Sequence, residues 1–164
     1  MQTDDELPGW EALREEYAGL VASENDFIAN GANLCALIAR RVEDIAWVGL
    51  YLNREGELVL GPFQGEPSPT RIAWGEGICG SAAATAQSLI VADLQGVAGQ
   101  EYAAEGASSL MAVPLRWQDN VVGVLRLDSE REDRFDEADR EGVEALIGLL
   151  LGESDLWSAF GTSG

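Results

Sequence analysis

The sequence predicts an α+β domain in which helices pack on a central, mainly antiparallel sheet. Three observations point there. Two early stretches carry apolar residues at helical spacing, two pairs of apolar runs are joined by tight-turn residues, and an amphipathic helix closes the chain. The length of 164 residues suits one domain with a real core. Residues 1–22 read as an N-terminal helical segment and 23–164 as the single domain.

Glu11 to Leu20 and Glu24 to Val42 read as helices, the second with Phe27, Ile28, Leu34, Leu37, Ile38 and Val42 at helical spacing. Ile45 to Leu52 (IAWVGLYL) is apolar on both alternating faces, which predicts a mid-sheet strand covered on each side. Asn53 to Glu57 (NREGE) supplies turn chemistry before a second run, Leu58 to Phe63, so this pair is a hairpin. Beyond the loop Gly65 to Pro69, a short strand at Thr70 to Ala73 leads into GEGICGSAAATAQ. That string is a glycine turn opening onto an alanine-rich helix that starts near Cys79.

A strand at Leu89 to Ala92 ends at Asp93, and Leu94 to Gly106 is a Gly/Ala-rich loop or short helix. The connection Gly96 to Ser109 is either a lid or a surface loop. Leu110 to Trp117 and Asn120 to Asp128 are strands joined by Gln118-Asp119. Asp136 to Leu151 is the closing helix, with Asp136 as its cap and Phe135 just before it.

Composition narrows function. All ten basic residues are arginines, set against 29 acids for a net charge of −19, so nucleic acid and anionic lipid are repelled as partners. The nine carboxylates between Asp128 and Glu144 read as a solvated helix face. No apolar run reaches the ~20 residues of a membrane span. The acidic start MQTDDELPGW lacks an export signal, so a cytoplasmic location is expected. The absence of histidine removes Ser-His-Asp triads, Cys-His dyads and imidazole metal sites together. Cys35 and Cys79 are too few for a disulfide scaffold or a thiolate zinc site. No metal or organic cofactor is implied.

The strings WVGLYL (Trp47 to Leu52), LVLGPFQG (Leu58 to Gly65), RIAWGEGICG (Arg71 to Gly80), VPL (Val113 to Leu115), GVLRLDS (Gly123 to Ser129) and FDEADREG (Phe135 to Gly142) lie in matching order and spacing. Together they closely resemble the free methionine-(R)-sulfoxide reductases, which are single GAF domains. The resemblance implies a GAF-like fold, a small pocket for free methionine sulfoxide and a cysteine that reduces it. The resulting sulfenic acid is resolved by a second cysteine and recycled by thioredoxin, and a homodimer is implied too. The carry-over is mixed. The nucleophilic cysteine aligns with Ala103 and the resolving cysteine with Pro69, so only Cys79, in the G-x-G-[IV]-C-G turn, remains. The glutamate before VPL falls at Leu110 and the first aspartate of LDIDS at Arg126, while Asp128 is kept. Trp47 and Tyr51 match the pocket aromatics, and the acidic Asp93 is also kept.

Each of these residues has two readings. Cys79, beside Gly77 and Gly80 at a helix start, is either a thiolate favoured by free N–H groups or a small residue buried at a tight turn. With the main nucleophile missing, the second is preferred. Cys35, among Leu34, Leu37 and Ile38, is core packing. Trp47 and Tyr51 share a strand face and either pack as aromatic core or line a ligand cavity, and the resemblance favours the cavity. Arg126 and Asp128, two apart on a strand, either pair internally or meet a ligand.

The expectation is a GAF domain of this family that keeps a small-molecule pocket, for methionine sulfoxide or another amino-acid-like zwitterion, with reductase chemistry impaired. The alternatives are an active reductase using Cys79 with an external thiol, and a dimerisation module without ligand.

Overall fold

The computed structural model describes residues 9–99 and 102–161. Its helices are α1 (Trp10–Val21), α2 (Phe27–Arg41), α3 (Gly77–Thr85), α4 (Glu137–Glu153) and α5 (Leu156–Phe160). The strands are β1 (Trp47–Arg54), β2 (Glu57–Gln64), β3 (Arg71–Ala73), β4 (Leu89–Val91), β5 (Ser109–Trp117) and β6 (Asn120–Ser129). They form one sheet in the order β3-β2-β1-β6-β5-β4, with every pairing antiparallel. The expected α+β class and antiparallel sheet are therefore present, and β1 lies inside the sheet as its two apolar faces required.

The two tight hairpins follow from their turn residues. Glu55 and Gly56 take φ of 55° and 83°, and Gln118 and Asp119 take 51° and 63°. Positive φ at both central positions matches the right-handed twist of the paired strands. Asn53 steadies the first turn by accepting the Gly56 N–H at 2.9 Å through Oδ1. Helix starts are equally local. Asp26 accepts the Ala29 N–H at 2.8 Å, and Asp136 with Asp139 closes a reciprocal capping box at the head of α4.

Strand alternation sorts the apolar residues into two cores, one on each face of the sheet. Val48, Leu50 and Leu52 of β1, Met111, Val113 and Leu115 of β5 and Leu125 and Leu127 of β6 join α1, α2 and α4 on one face. Trp47 and Tyr51, Leu110 and Ala112, and Val124 face the other way, toward α3 and the 92–108 connection. The N-terminal helix belongs to the first core through Leu13, Tyr17 and Val21. Trp10 lies on Gly142 of α4, where an added Cβ would come within 2.2 Å of the indole, and its Nε1 donates to Asp139 at 3.0 Å.

Boundaries moved by a few residues. The α2 helix starts at Phe27 rather than Glu24 because Asp26 caps it, and α3 starts at Gly77. The short α5 was not expected. Five residues show no period, and tertiary contacts hold it: Phe160 meets Phe27 edge-on at 4.9 Å and Trp157 meets Trp117 at 5.1 Å. Among the described residues no helix is long and apolar enough to cross a membrane.

Candidate functional site

The second core holds an unusual polar centre. Register places Trp47 of β1 opposite Asp128 of β6, Gly49 opposite Arg126, and Leu110 of β5 opposite Asp128. Even spacing along each strand turns Trp47, Tyr51, Arg126 and Asp128 to the same side. Facing them are Ser68 and Pro69 from the β2–β3 connection, Cys79 of α3, and Tyr102 to Ala104 of the 92–108 connection.

The indole of Trp47 is positioned by glycine. A Cβ on Gly49 would lie 2.3 Å from the ring, so only glycine lets the indole fold over its own strand. Trp47 Nε1 donates to the Glu66 carbonyl at 3.0 Å, and the ring stacks on Phe63 at 5.6 Å and Tyr51 at 6.2 Å. The Tyr51 hydroxyl donates to the Pro69 carbonyl at 2.7 Å and lies 2.9 Å from Ser68 Oγ. Its own burial raises the Tyr51 pKa.

Arg126 is 0% exposed. Its Cζ lies 3.8 Å from the Trp47 ring centroid and 5.6 Å from that of Tyr51, within cation–π range. Nη1 donates to the Tyr102 carbonyl at 2.8 Å, Nη2 to Ser68 Oγ at 3.3 Å, and Nε lies 3.0 Å from Asp128 Oδ1. Asp128, also 0% exposed, accepts the Ala104 N–H on Oδ2 at 2.7 Å. Neither Arg126 Nε nor Asp128 Oδ1 completes an aligned hydrogen bond, so their contact is held by charge. Burial pushes the Asp128 carboxyl upward, opposed by the Arg126 charge and the Ala104 N–H. Of the two readings of this pair, the ion pair is the geometry present, and the guanidinium occupies the space expected for a ligand.

Both thiols are buried. Cys79, the third residue of α3, is 3% exposed, and burial pushes its thiol up to about 12, with Arg126 opposing and Asp128 adding. Burial thus outweighs the helix-start N–H groups that would favour a thiolate. Cys35 sits on the other face of the sheet, its Sγ 3.4 Å from the Pro62 carbonyl, and burial raises it to about 12 as well. At neutral pH both are protonated.

The remaining sites divide. Leu110 is buried in the second core, and Ala103 is half-buried against it. Asp93 is exposed, and its Oδ1 accepts the Gln95 N–H at 2.9 Å. That contact makes Asp93 a turn residue, and it does not join the group around Arg126. The described residues of the 92–108 connection, 92–99 and 102–108, lie over the centre. Leu94 N–H donates to Ser108 at 2.8 Å, Ser108 N–H to Ser129 at 2.7 Å, and a Cβ on Gly99 would lie 2.4 Å from Gly77 Cα. Residues 100 and 101 within the expected lid lie outside the described residues. Sequence reasoning missed Ser68 and the main-chain groups of Tyr102 and Ala104, because backbone donors and acceptors leave no signature in residue type. What the centre can do chemically is hold a cation against aromatic faces, a carboxylate and neutral oxygens, with no thiolate at hand.

Comparison with known proteins agrees with the fold. The GAF domain family model matches residues 29–150. GAF domain-containing protein A of Dictyostelium discoideum is 39% identical over 142 residues, spanning 86% of this chain and 89% of that protein. The free methionine-R-sulfoxide reductase of Escherichia coli is 36% identical over 138 residues, spanning 84% of each chain. The structure of free methionine-R-sulfoxide reductase from Neisseria meningitidis, in complex with its substrate, superposes with a TM-score of 0.85 at 32% identity, over 93% of this chain and 92% of that one.

Proposed function

This chain belongs to the GAF domain family, among relatives that include the free methionine-R-sulfoxide reductases, and from that membership we propose that it has lost the reductase chemistry and acts by recognition. One observation carries the reading. The thiol at the centre, Cys79, is buried and held protonated, with its pKa near 12, and the other cysteine lies across the sheet. Reduction of a sulfoxide needs a thiolate to attack sulfur and a second thiol to capture the sulfenic acid. Neither requirement is met by Cys35 and Cys79. Ala103 and Pro69, standing where the family resemblance expects the two working cysteines, support the same conclusion.

The domain is then a binding or sensing module whose ligand is a small amino-acid-like zwitterion, met by Trp47, Tyr51, Arg126 and Asp128 rather than reduced. Leu110 adds apolar wall, and the 92–108 connection closes over the site. Thioredoxin has no thiol partner in this reading, and residues 23–164 with their preceding helix act as one cytoplasmic unit. A second reading, a ligand-free dimerisation module, is favoured by the Arg126 guanidinium lying in the centre itself.

The test is methionine release from free methionine-(R)-sulfoxide with excess dithiothreitol, alongside the melting temperature with and without the sulfoxide. The expected result is no release and a raised melting temperature. Cys79-dependent turnover within the ordinary enzyme range of ~1–1000 per second would overturn the proposal. No release and no shift with any zwitterion would transfer support to the dimerisation reading.

A further inference from the structure

We infer that Trp47, Tyr51, Ser68, Asp128 and the Tyr102 carbonyl form a receptor for an organic cation, and that its built-in occupant is the chain's own Arg126. The fully buried Arg126 guanidinium is held as a receptor holds a ligand. An indole face lies 3.8 Å from Cζ, a second ring 5.6 Å away, a carboxylate 3.0 Å from Nε, a carbonyl 2.8 Å from Nη1 and a hydroxyl 3.3 Å from Nη2. The wall is aromatic and anionic, which is the chemistry that selects guanidinium and ammonium ions over neutral molecules.

Two details separate a receptor from a plain core ion pair. The carboxylate does not depend on the arginine for its position, because Asp128 Oδ2 is anchored by the Ala104 N–H at 2.7 Å. The aromatic wall is likewise fixed from behind, by Gly49 beneath the indole and the Glu66 carbonyl on Nε1. Asp128 Oδ1, fully buried and lacking an aligned hydrogen bond, is the acceptor that points at the occupant. Remove the side chain that fills the cage, and its walls remain. The ligand class that fits is therefore a monovalent alkylguanidinium or alkylammonium ion.

The experiment uses Arg126→Ala, which deletes the atoms of an ethylguanidinium ion. Ethylguanidinium is added at millimolar concentration, far below the molar range in which guanidinium denatures. The variant is expected to melt well below the parent and to recover a saturable rise of roughly 3–6 °C at about ten times Kd. Neutral ethylurea should give no rise, the parent should show none because its site is filled, and Asp128→Asn in the variant should abolish it. If Arg126→Ala does not fold unaided, ethylguanidinium should restore a cooperative transition, and ethylurea should not. A variant whose melting or folding responds no differently from the parent's would overturn the inference. The cage shares its residues with the proposed ligand site, so a zwitterion bound by the parent must displace or extend past Arg126; that is read on the parent, whereas the cage is read on Arg126→Ala, and the two proposals fail in different samples.

Discussion

Replacing Asp128 by Asn keeps the shape of the side chain and an oxygen for the Ala104 N–H, and turns the charged acceptor beside Arg126 Nε into an uncharged amide NH2. At 0% exposure the guanidinium cannot reach water. Breaking a buried pair in this way costs roughly 3–5 kcal/mol, because the remaining charge stays uncompensated. For a domain of this size that corresponds to a fall in Tm of about 6–20 °C. The comparator is Glu16→Gln in the pair Arg41–Glu16, also close at 3.1 Å but with side chains 39% and 41% exposed. Solvent screening limits that loss to ~1 kcal/mol. Urea unfolding at neutral pH reads both, with an unchanged m-value confirming that only stability has moved. Adding Arg126→Met to Asp128→Asn removes the stranded cation and should recover part of the loss. The reasoning is refuted if Asp128→Asn costs no more than Glu16→Gln, or if the added Met recovers nothing.

Alkaline pH should destabilise the fold through its thiols. Cys35 and Cys79 titrate near 12 when folded, against about 9 when unfolded, so their stability contribution is complete below pH 9 and lost as pH rises toward 12. Each thiol contributes a slope of about 1.4 kcal/mol per pH unit in that window, and urea titrations of the parent and the Cys35→Ala/Cys79→Ala variant should differ in it. Gly49→Ala drives a methyl into the Trp47 ring, at 2.3 Å before relaxation. It should cost about 1–3 kcal/mol and alter the near-UV circular dichroism of the indole. Asp139→Ala removes the acceptor of Trp10 Nε1 and of the Asp136 N–H, loosening α1 and α4 together. Hydrogen exchange in both helices should rise, with a loss of at least ~1 kcal/mol in unfolding free energy.

How much of this was legible in the sequence depended on whether the cause was local. The hairpins at Glu55-Gly56 and Gln118-Asp119 and the cap at Asp136 are set by a few neighbouring residues, and the sequence identifies all three. Strand alternation pairs Trp47 with Tyr51 and Arg126 with Asp128, each pair on one face of its own strand, and the β1–β6 register brings the two pairs to the same side. Alternation could not decide between an open pocket and a filled one, because that depends on the Tyr102 carbonyl and Ser68, which lie 24 and 58 positions from Arg126. Asp93 looked like a pocket acid at a strand end, yet its carboxylate serves the next turn, a competition that short acidic side chains often win. The α5 helix was hidden for another reason. Its stability lies in Phe27 and Trp117, contributed from far along the chain.

The reactivity of Cys79 tests the proposed loss of thiol chemistry most directly. The folded protein is treated with iodoacetamide at neutral pH, and labelling of each cysteine is followed by mass spectrometry beside a sample unfolded in urea. With the thiol buried and its pKa near 12, Cys79 should stay unlabelled in the folded protein while it reacts readily in urea. Labelling of folded Cys79 as fast as, or faster than, the unfolded thiol would show an accessible thiolate at the centre and contradict the account.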